Sequence, residues 1–289
     1  MDGKQQASVE RPISGWRPKV TALVPCYNSS AFISRTLDSL AAQTWDDIEI
    51  LVGEDNSTDA TFDIVSAFAS TRDNVRILRR TQNLGWLKNS NDLMANATGE
   101  LMFFAFHDDI IDPTYVEALV KALDDNPDAV MSFSDLEVIE VGGERATWTF
   151  DSLPASQGSF ARGRLMARQP HGWWVPNRGL FRSWAFQRSG GIKPNSQGEY
   201  SADWTWLLHL SLLGGFVRVP ELLCHKYYRP GSISKSWPRN NAQRKALRAA
   251  GAKEVWRSEI GLARRAFLAA YIVLRPWRWL EWSQKSQRK

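Results

Sequence analysis

Short apolar runs alternate with amphipathic stretches along the first third of the chain. Val20 to Val24 reads as a strand closed by Pro25, with Tyr27-Asn28 making the turn. Ser30 to Ala42 is predicted as a helix, with Phe32, Ile33, Leu37 and Leu40 on one face and Ser29 or Ser30 as N-cap. Ile48 to Val52 is the next strand, followed by the polar cluster Glu54-Asp55-Asn56-Ser57-Thr58-Asp59 and an amphipathic stretch carrying Phe62, Ile64, Val65 and Phe68. Val75 to Leu78 is a third strand, and Asn83-Leu84-Gly85 the turn after it. Ser90 to Ala97 is helical in pattern, with Gly99 as its stop. Leu101 to Phe106 is an apolar run that ends abruptly at His107-Asp108-Asp109.

This alternation predicts an α/β fold with a mostly parallel sheet and helices on both faces, since strands apolar along their whole length are buried on both sides. Ligands of such sheets sit beyond the carboxyl ends of the strands. The clusters Pro25–Asn28, Glu54–Asp59 and His107–Asp109 each follow a strand, so all three are expected to converge there. Further on, the pattern predicts a helix over Thr114–Leu123, a strand over Ala129–Phe133, and a hairpin over Glu137–Phe150 turning at Gly142-Gly143. Between Asp151 and Asn177 the periodicity fades. Trp204–Leu213 is a helix ended by Gly214-Gly215, and Phe216–Val219 a last short strand. Basic helical stretches cover roughly Asn241–Glu259 and Leu262–Leu274.

Charge divides the chain. The 289 residues carry a formal net charge of +5. Tyr227 to Lys289 holds 15 Lys and Arg against 3 Asp and Glu, a net of +12, and the rest holds 21 against 28, a net of −7. An acidic body argues against nucleic acid as a partner, because phosphate contacts need basic residues there. Cys26 and Cys224 alone make no disulfide framework and no Cys-rich zinc site, and a reducing compartment fits them. Residues 1–18 lack an apolar core and read as a flexible leader, not a secretory signal. The longest apolar run, Ala266 to Leu274, falls short of the about 20 residues that a membrane span needs.

Two adjacent carboxylates at a strand end repel unless a cation neutralises them, and oxygen ligands of this kind suit Mg²⁺ or Mn²⁺ bound to a diphosphate. The competing reading of His107-Asp108-Asp109 is a solvated turn before the helix that Asp112-Pro113 opens. An acid of the Glu54–Asp59 cluster can accept hydrogen bonds from a base or from ribose hydroxyls, although Ser57 or Thr58 also serves as a helix cap. The chain contains no Gly-x-x-x-x-Gly-Lys-Ser/Thr loop and no Gly-x-Gly-x-x-Gly fingerprint, so phosphate falls to a metal and to side chains such as Arg80 or Lys88.

Taken together, the chain resembles a family 2 glycosyltransferase with the GT-A fold. Val24-Pro25-Cys26-Tyr27-Asn28 resembles that family's opening strand and Pro-x-Tyr-Asn turn, and Glu54 to Thr61 resembles its Asp-Asp-Gly-Ser-Thr-Asp-Gly-Thr segment. Asn83-Leu84-Gly85, Asn91 and Gly99 match the run leading to its Asp-x-Asp site. Arg182, Gly190-Gly191 and Asp203 resemble its second half. The resemblance spans about residues 19–235. It implies a glycosyltransferase domain over 19–236, with a nucleotide-sugar half at about 19–135, an acceptor half at about 136–236, and a basic, Trp-rich helical extension over 237–289.

The same resemblance implies that Pro25, Tyr27 and Glu54 line the nucleotide base pocket with Asp55 beside it, and that Asn28, Arg80, Asn83 and Lys88 belong to the donor site. Asp108 and Asp109 then face the ribose and the metal-bound diphosphate, and Asp203 is the general base. Three positions depart from the family's pattern: Glu54 for an Asp, Phe106 for the first Asp of the metal motif, and Ala202 for the Glu before the base. Asp203 has a rival reading as a helix N-cap. His171-Gly172-Trp173-Trp174, with Trp204, marks the expected acceptor entrance, its indoles read either as sugar platforms or as core filler under a long loop. Arg229 and Ser232-Ile233-Ser234 are further candidates for holding the diphosphate.

The expected activity is metal-dependent, inverting transfer from a nucleotide-sugar donor to a glycan or lipid-linked acceptor. Sugar-nucleotide binding without catalysis, nucleotidyl transfer and nucleic-acid binding are the competing classes. Trp237, Trp256, Trp277, Trp279 and Trp282, interleaved with basic residues and with Phe267, Leu268, Ile272 and Leu274, fit an interfacial helix on anionic lipid. That places the protein in the cytoplasm, peripheral at the inner face of the membrane. The alternative is a basic helix packed on the body.

Overall fold

From Val20 to Cys26 every residue of β1 is buried, which is possible only for an interior strand covered on both faces. The computed structural model describes residues 15–229 and 240–275. It places β1 between two parallel neighbours, β2 (Ile48–Glu54) and β4 (Leu101–Phe104), and sets β3 (Val75–Arg79) parallel outside β2. Helices α1 (Ile33–Ala41), α2 (Thr61–Ala69) and α3 (Trp86–Asn96) connect these strands. Ile33, Leu37 and Leu40 of α1 are buried, each burial contributing about 1.5–3 kcal/mol.

The remaining strands continue the same sheet. They are β5 (Asp109–Ile111), β6 (Ala129–Ile139), β7 (Arg145–Trp148), β8 (Leu180–Arg182) and β9 (Gly215–Tyr227), in the order β3-β2-β1-β4-β8-β6-β9-β5, with β7 folded onto β6. Pairing is parallel along the long β6–β9 ladder and antiparallel at β8, β7 and β5, so the sheet is mixed but mostly parallel. Helices α4 (Tyr115–Asp124), α5 (Gly158–Met166), α6 (Ser183–Ser189) and α7 (Ala202–Leu213), with a 3₁₀ turn at Val175–Arg178, fill the second half.

Several sequence expectations are corrected here. Neither Ser29 nor Ser30 caps α1: the Ser29 hydroxyl donates to the Tyr27 carbonyl, and Phe32 occupies the cap position. The cap position of α2 is Ala60, not Ser57 or Thr58. The stretch 151–177 is not wholly irregular, since it holds α5. The last strand runs thirteen residues, because Pro220-Glu221 bulges out between the pairs Ser134–Val219 and Asp135–Leu222 and pairing then resumes.

The two basic helices are present as α8 (Asn241–Arg257) and α9 (Leu262–Leu274). A reciprocal Asn240–Gln243 capping box opens α8. Gly251 of α8 lies against the Trp204 ring so closely that an added Cβ would stand 2.7 Å from Cη2. Glu254 accepts a bond from His209 of α7 at 2.7 Å, with both side chains buried. Leu268, Ala269 and Ile272 of α9 complete this contact. The packed alternative for the tail therefore describes these helices on one side. Residues 1–14 of the expected leader, Ser232-Ile233-Ser234, and Trp237, Trp277, Trp279 and Trp282 lie outside the described residues. Among those described, no helix is long and apolar enough to cross a membrane.

Candidate active site

The carboxyl ends of β1 and β2 are joined by hydrogen bonds between their loops. Asn28, at a left-handed φ of 47°, accepts from the Thr58 N–H at 2.9 Å, and its own N–H donates to Ser57. The Ser30 N–H donates to Asp59, which also takes the Thr61 N–H; these bonds outweigh its partial burial and hold its carboxyl down at about 2. Buried Glu54 accepts the Ser57 N–H at 2.7 Å, and buried Asp55 accepts the N–H groups of Leu84 and Gly85 at 2.7 and 2.9 Å. Asn83 also accepts from Gly85. Pro25 is buried and its carbonyl accepts a bond from the His107 ring at 2.9 Å, while burial lowers the His107 pKa and favours the neutral imidazole. Tyr27 is left 41% exposed at the mouth of this loop cluster. The three clusters expected to converge do so.

Two expected phosphate cations stand apart from them. Arg80 pairs with Asp92 on α3, and Lys88 is exposed on the first turns of that helix. The Arg80 backbone N–H donates to the Glu54 carbonyl at 2.9 Å, but its guanidinium is turned to Asp92 and not to the loop cluster.

Asp108 pairs with Arg229 at 2.7 Å, and that guanidinium also lies 3.0 Å over the Phe32 ring. Burial, with the like charge of Arg35, pulls Arg229 down to about 10. Asp109 is differently placed. Its carboxylate is buried and accepts from Arg178 Nε at 2.6 Å, so one of its oxygens is already engaged, while Oδ1 is buried without a hydrogen-bond partner among the described residues. Arg178 also lies 4.8 Å over the ring of Phe106, the residue standing where an acid was expected. No group of three or more His, Cys, Asp or Glu side chains suited to a metal occurs among the described residues.

Asp203 sits in the first turn of α7, two residues after Ser201, which is in the left-handed region at φ 46°. The helix cap position is Ser201, so Asp203 is not the N-cap of its rival reading. One carboxylate oxygen accepts the Trp204 N–H at 3.0 Å and the other accepts from Asn177 at 3.2 Å. Burial outweighs these bonds and pushes its pKa up to about 6. Lys226, near the end of β9, is pushed down to about 8 by burial and then by the charge of Arg178, and it interacts electrostatically with Asp109 and Asp203.

Of the expected acceptor residues, Trp204 is fully buried with its indole N–H on the Met166 carbonyl, which makes it core and not a sugar platform. His171 stacks at 4.4 Å on Trp148, and Trp174 meets the same Trp148 at 5.0 Å, with Arg178 6.0 Å from the Trp174 ring. Trp173 is half-buried against the core. Sequence reasoning missed Trp148, Asn177, Arg178 and Lys226. The only signal for Lys226 was the basic-aromatic run His225 to Arg229 beyond the last strand expected from sequence, Phe216–Val219.

The family model described as Glycosyl transferase family 2 matches residues 21–185, more than half of the chain. An uncharacterized glycosyltransferase of Haemophilus influenzae is 25% identical over 225 residues, covering 76% of this chain and 68% of that protein. The uncharacterized glycosyltransferase YibD of Escherichia coli is 31% identical over 221 residues, covering 73% of this chain and 61% of its own length. Among solved structures, S. aureus TarS 1-349 in complex with UDP superposes with a TM-score of 0.67 at 17% identity, covering 94% of this chain and 75% of that one. The mannosyltransferase PcManGT from Pyrobaculum calidifontis, in complex with GDP-Man and Mn²⁺, gives 0.58 at 18% identity, covering 92% and 74%. These likenesses show the GT-A fold.

Proposed function

The chain belongs to glycosyl transferase family 2 and is a glycosyltransferase, and from that premise we propose that it moves a sugar, with inversion, from a nucleotide-sugar donor to an acceptor hydroxyl. The observation that carries this reading is the pair of adjacent residues Asn177 and Arg178. They reach Asp203 and Asp109 respectively and so hold a basic carboxylate beside the acidic end of the sheet.

In this reading the exposed ring of Tyr27 stacks on the donor base, and Pro25 shapes the pocket. Asn28, Glu54, Asp55 and Asn83 act by fixing the loops, since their side-chain oxygens already hold backbone N–H groups. Arg229 and Lys226 stand where negative charge develops on the departing diphosphate. The acceptor oxygen attacks the anomeric carbon as the bond from that carbon to the diphosphate oxygen breaks. Its proton passes to Asp203, and the bonding pair leaves with the nucleotide. A carboxylate near pKa 6 is ionised at neutral pH yet more basic than an ordinary one. Trp174, with Trp148 and His171, offers the ring faces that an acceptor sugar would meet.

The donor set at Asp108 and Asp109 fits a divalent ion: one Asp109 oxygen is buried without a partner, and Mg²⁺ or Mn²⁺ beside a diphosphate needs only one or two protein carboxylates. Asp108, with Asp109 adjacent, would hold the ion, which supplies positive charge against the diphosphate. UDP, UDP-GlcNAc and GDP-Man in the neighbouring structures, and Mn²⁺ in one, support this donor class. A poly(ribitol-phosphate) beta-glucosyltransferase of Bacillus spizizenii, 38% identical over 96 residues, supports an acceptor in polysaccharide or glycolipid assembly. The +12 charge of the tail supports a peripheral position on an anionic membrane face.

Screening UDP- and GDP-sugars for protection against thermal unfolding, with and without Mn²⁺, tests the donor. Asp203→Asn is expected to lower transfer about 10²- to 10⁴-fold while donor protection is kept. Full transfer by that variant removes the base assignment.

A further inference from the structure

Helix α9 is apolar on both sides, although only one side is covered. Leu268, Ala269 and Ile272 face the body and are buried. Ala263, Ala266, Phe267, Ala270, Val273 and Leu274 recur at helical spacing on the outer side and are exposed. The large ones keep much of their surface in solvent: Phe267, whose ring also meets that of Phe160 of α5 at 5.6 Å, is 54% exposed, Val273 47%, Leu274 78%, and Leu262 at the start of the helix 70%. Scattered surface leucines need no explanation, but a continuous stripe along an entire helix does.

Charge identifies what covers it. Arg264, Arg265 and Arg275 are the charged residues of this segment, and no acid occurs from Leu262 onward until Glu281. Arg164 of α5, on which α9 packs, and Arg168 just beyond that helix are exposed, and Arg168 reaches the Tyr271 hydroxyl at 3.0 Å. Of the two acids between Asn241 and Arg275, Glu254 is buried against His209 and Glu259 pairs with Arg188. The sequence beyond Arg275 continues basic, with Trp277, Trp279 and Trp282. An apolar stripe flanked by arginines, without acids and followed in the sequence by a Trp-rich basic segment, complements a surface that is negatively charged and has hydrocarbon beneath it.

We propose that the outer face of α9, centred on Phe267 and Leu274, is a docking surface for an anionic lipid bilayer, on which the helix lies in the interfacial plane. This rests on the membrane position of the proposed function for its context and not on the chemistry of transfer. The body-facing side of α9 stays in the protein core, so attachment carries the catalytic domain rigidly with it.

Sedimentation of the full chain with vesicles tests this. The chain is expected to bind phosphatidylcholine–phosphatidylglycerol vesicles, and to bind phosphatidylcholine alone about tenfold more weakly or worse. Phe267→Ser/Leu274→Ser is expected to weaken binding about tenfold or more, since both side chains lose an apolar partner. Arg264→Glu/Arg275→Glu should weaken it on the anionic vesicles only. Unchanged thermal unfolding midpoints show that the variants remain folded. Absence of binding by the native chain, equal binding to both vesicle types, or undiminished binding by the serine variant each overturns the proposal. So does concentration-dependent self-association that the serine variant abolishes, which makes the face a contact between copies. Nucleotide-sugar protection is measured on the same samples. Its failure with vesicle binding intact strikes the enzymatic reading alone, and the converse strikes this one alone.

Discussion

Asn177 and Arg178 follow one another in a single 3₁₀ turn, yet their side chains grip carboxylates on β5 and α7. Removing either grip has a different signature. Asn177→Leu deletes a hydrogen bond to the charged form of Asp203, the proposed base, and is expected to raise its pKa further, since that bond favours ionisation. The acid limb of the kcat/KM–pH profile, set by a group near 6, is expected to move to higher pH with donor KM unchanged. An unmoved limb would mean that Asp203 is not the titrating base. Arg178→Ala leaves Asp109 buried and unpaired and is expected to cost about 3–5 kcal/mol, read as a lower urea midpoint.

Asp203 carries a linked stability effect. Its folded pKa lies above the ordinary carboxylate value, so the folded state holds a proton more tightly than the unfolded chain. The cost is fully present above pH 6 and fades as pH falls from 6 toward 4. Asp203→Asn is therefore expected to raise the Tm at pH 7–8, by at most about 3 kcal/mol of stability, and to change it little near pH 4. A lower Tm at pH 8 would contradict the burial argument. Asp203 was legible because it follows a recognisable motif, whereas Arg178 and Lys226 were not. A buried charge in a segment without periodicity leaves no pattern, and only the fold shows that each has an acid to meet.

At the scale of elements, β1, β2 and β4 were legible because strands buried on both faces are largely apolar, and the half-exposed edge strand β3 from its Val75, Ile77 and Leu78. The second half was harder for reasons visible in particular residues. Pro220 breaks the apolar run of β9 in the middle of a strand that merely bulges there. Helix α5 begins at Gly158 and carries Gly163 against Leu212, so it lacks both a start signal and a clear apolar stripe. The strand β8 is three residues long and pairs through only two of them on each side. The contact of Gly251 with Trp204 binds α8 to α7, and it also explains why Trp204, an acceptor candidate in the sequence whose indole could be platform or core filler, is fully buried. Gly251→Leu would drive a side chain into the indole and is expected to destabilise the fold by about 1–3 kcal/mol. A denaturant midpoint equal to that of the native chain would show that α8 is not seated on α7 in solution.

Across the described molecule, the acidic body and the two helices of the basic tail, α8 and α9, are parts of one packed structure. The two helices supply Glu254 to His209 and Leu268 and Ile272 to the core, while Arg264, Arg275 and the outer apolar stripe of α9 stay on the surface. Charge asymmetry was visible in composition. Which side of each basic helix is spoken for was not, because α9 is apolar on both.

The position of β9 has a consequence for how the protein comes into being. This strand inserts between β6 and β5, pairs Ala129 with Gly215 across α5, α6 and α7, and brings Lys226 and, just beyond it, Arg229 to the donor end of the sheet. Pairing between such distant segments is slow and closes late. During synthesis, β1 to β4 can therefore form early while the cations proposed to face the diphosphate have yet to leave the ribosome, and a nascent chain halted before β9 is left with an open sheet edge at β6 and without Lys226 or Arg229.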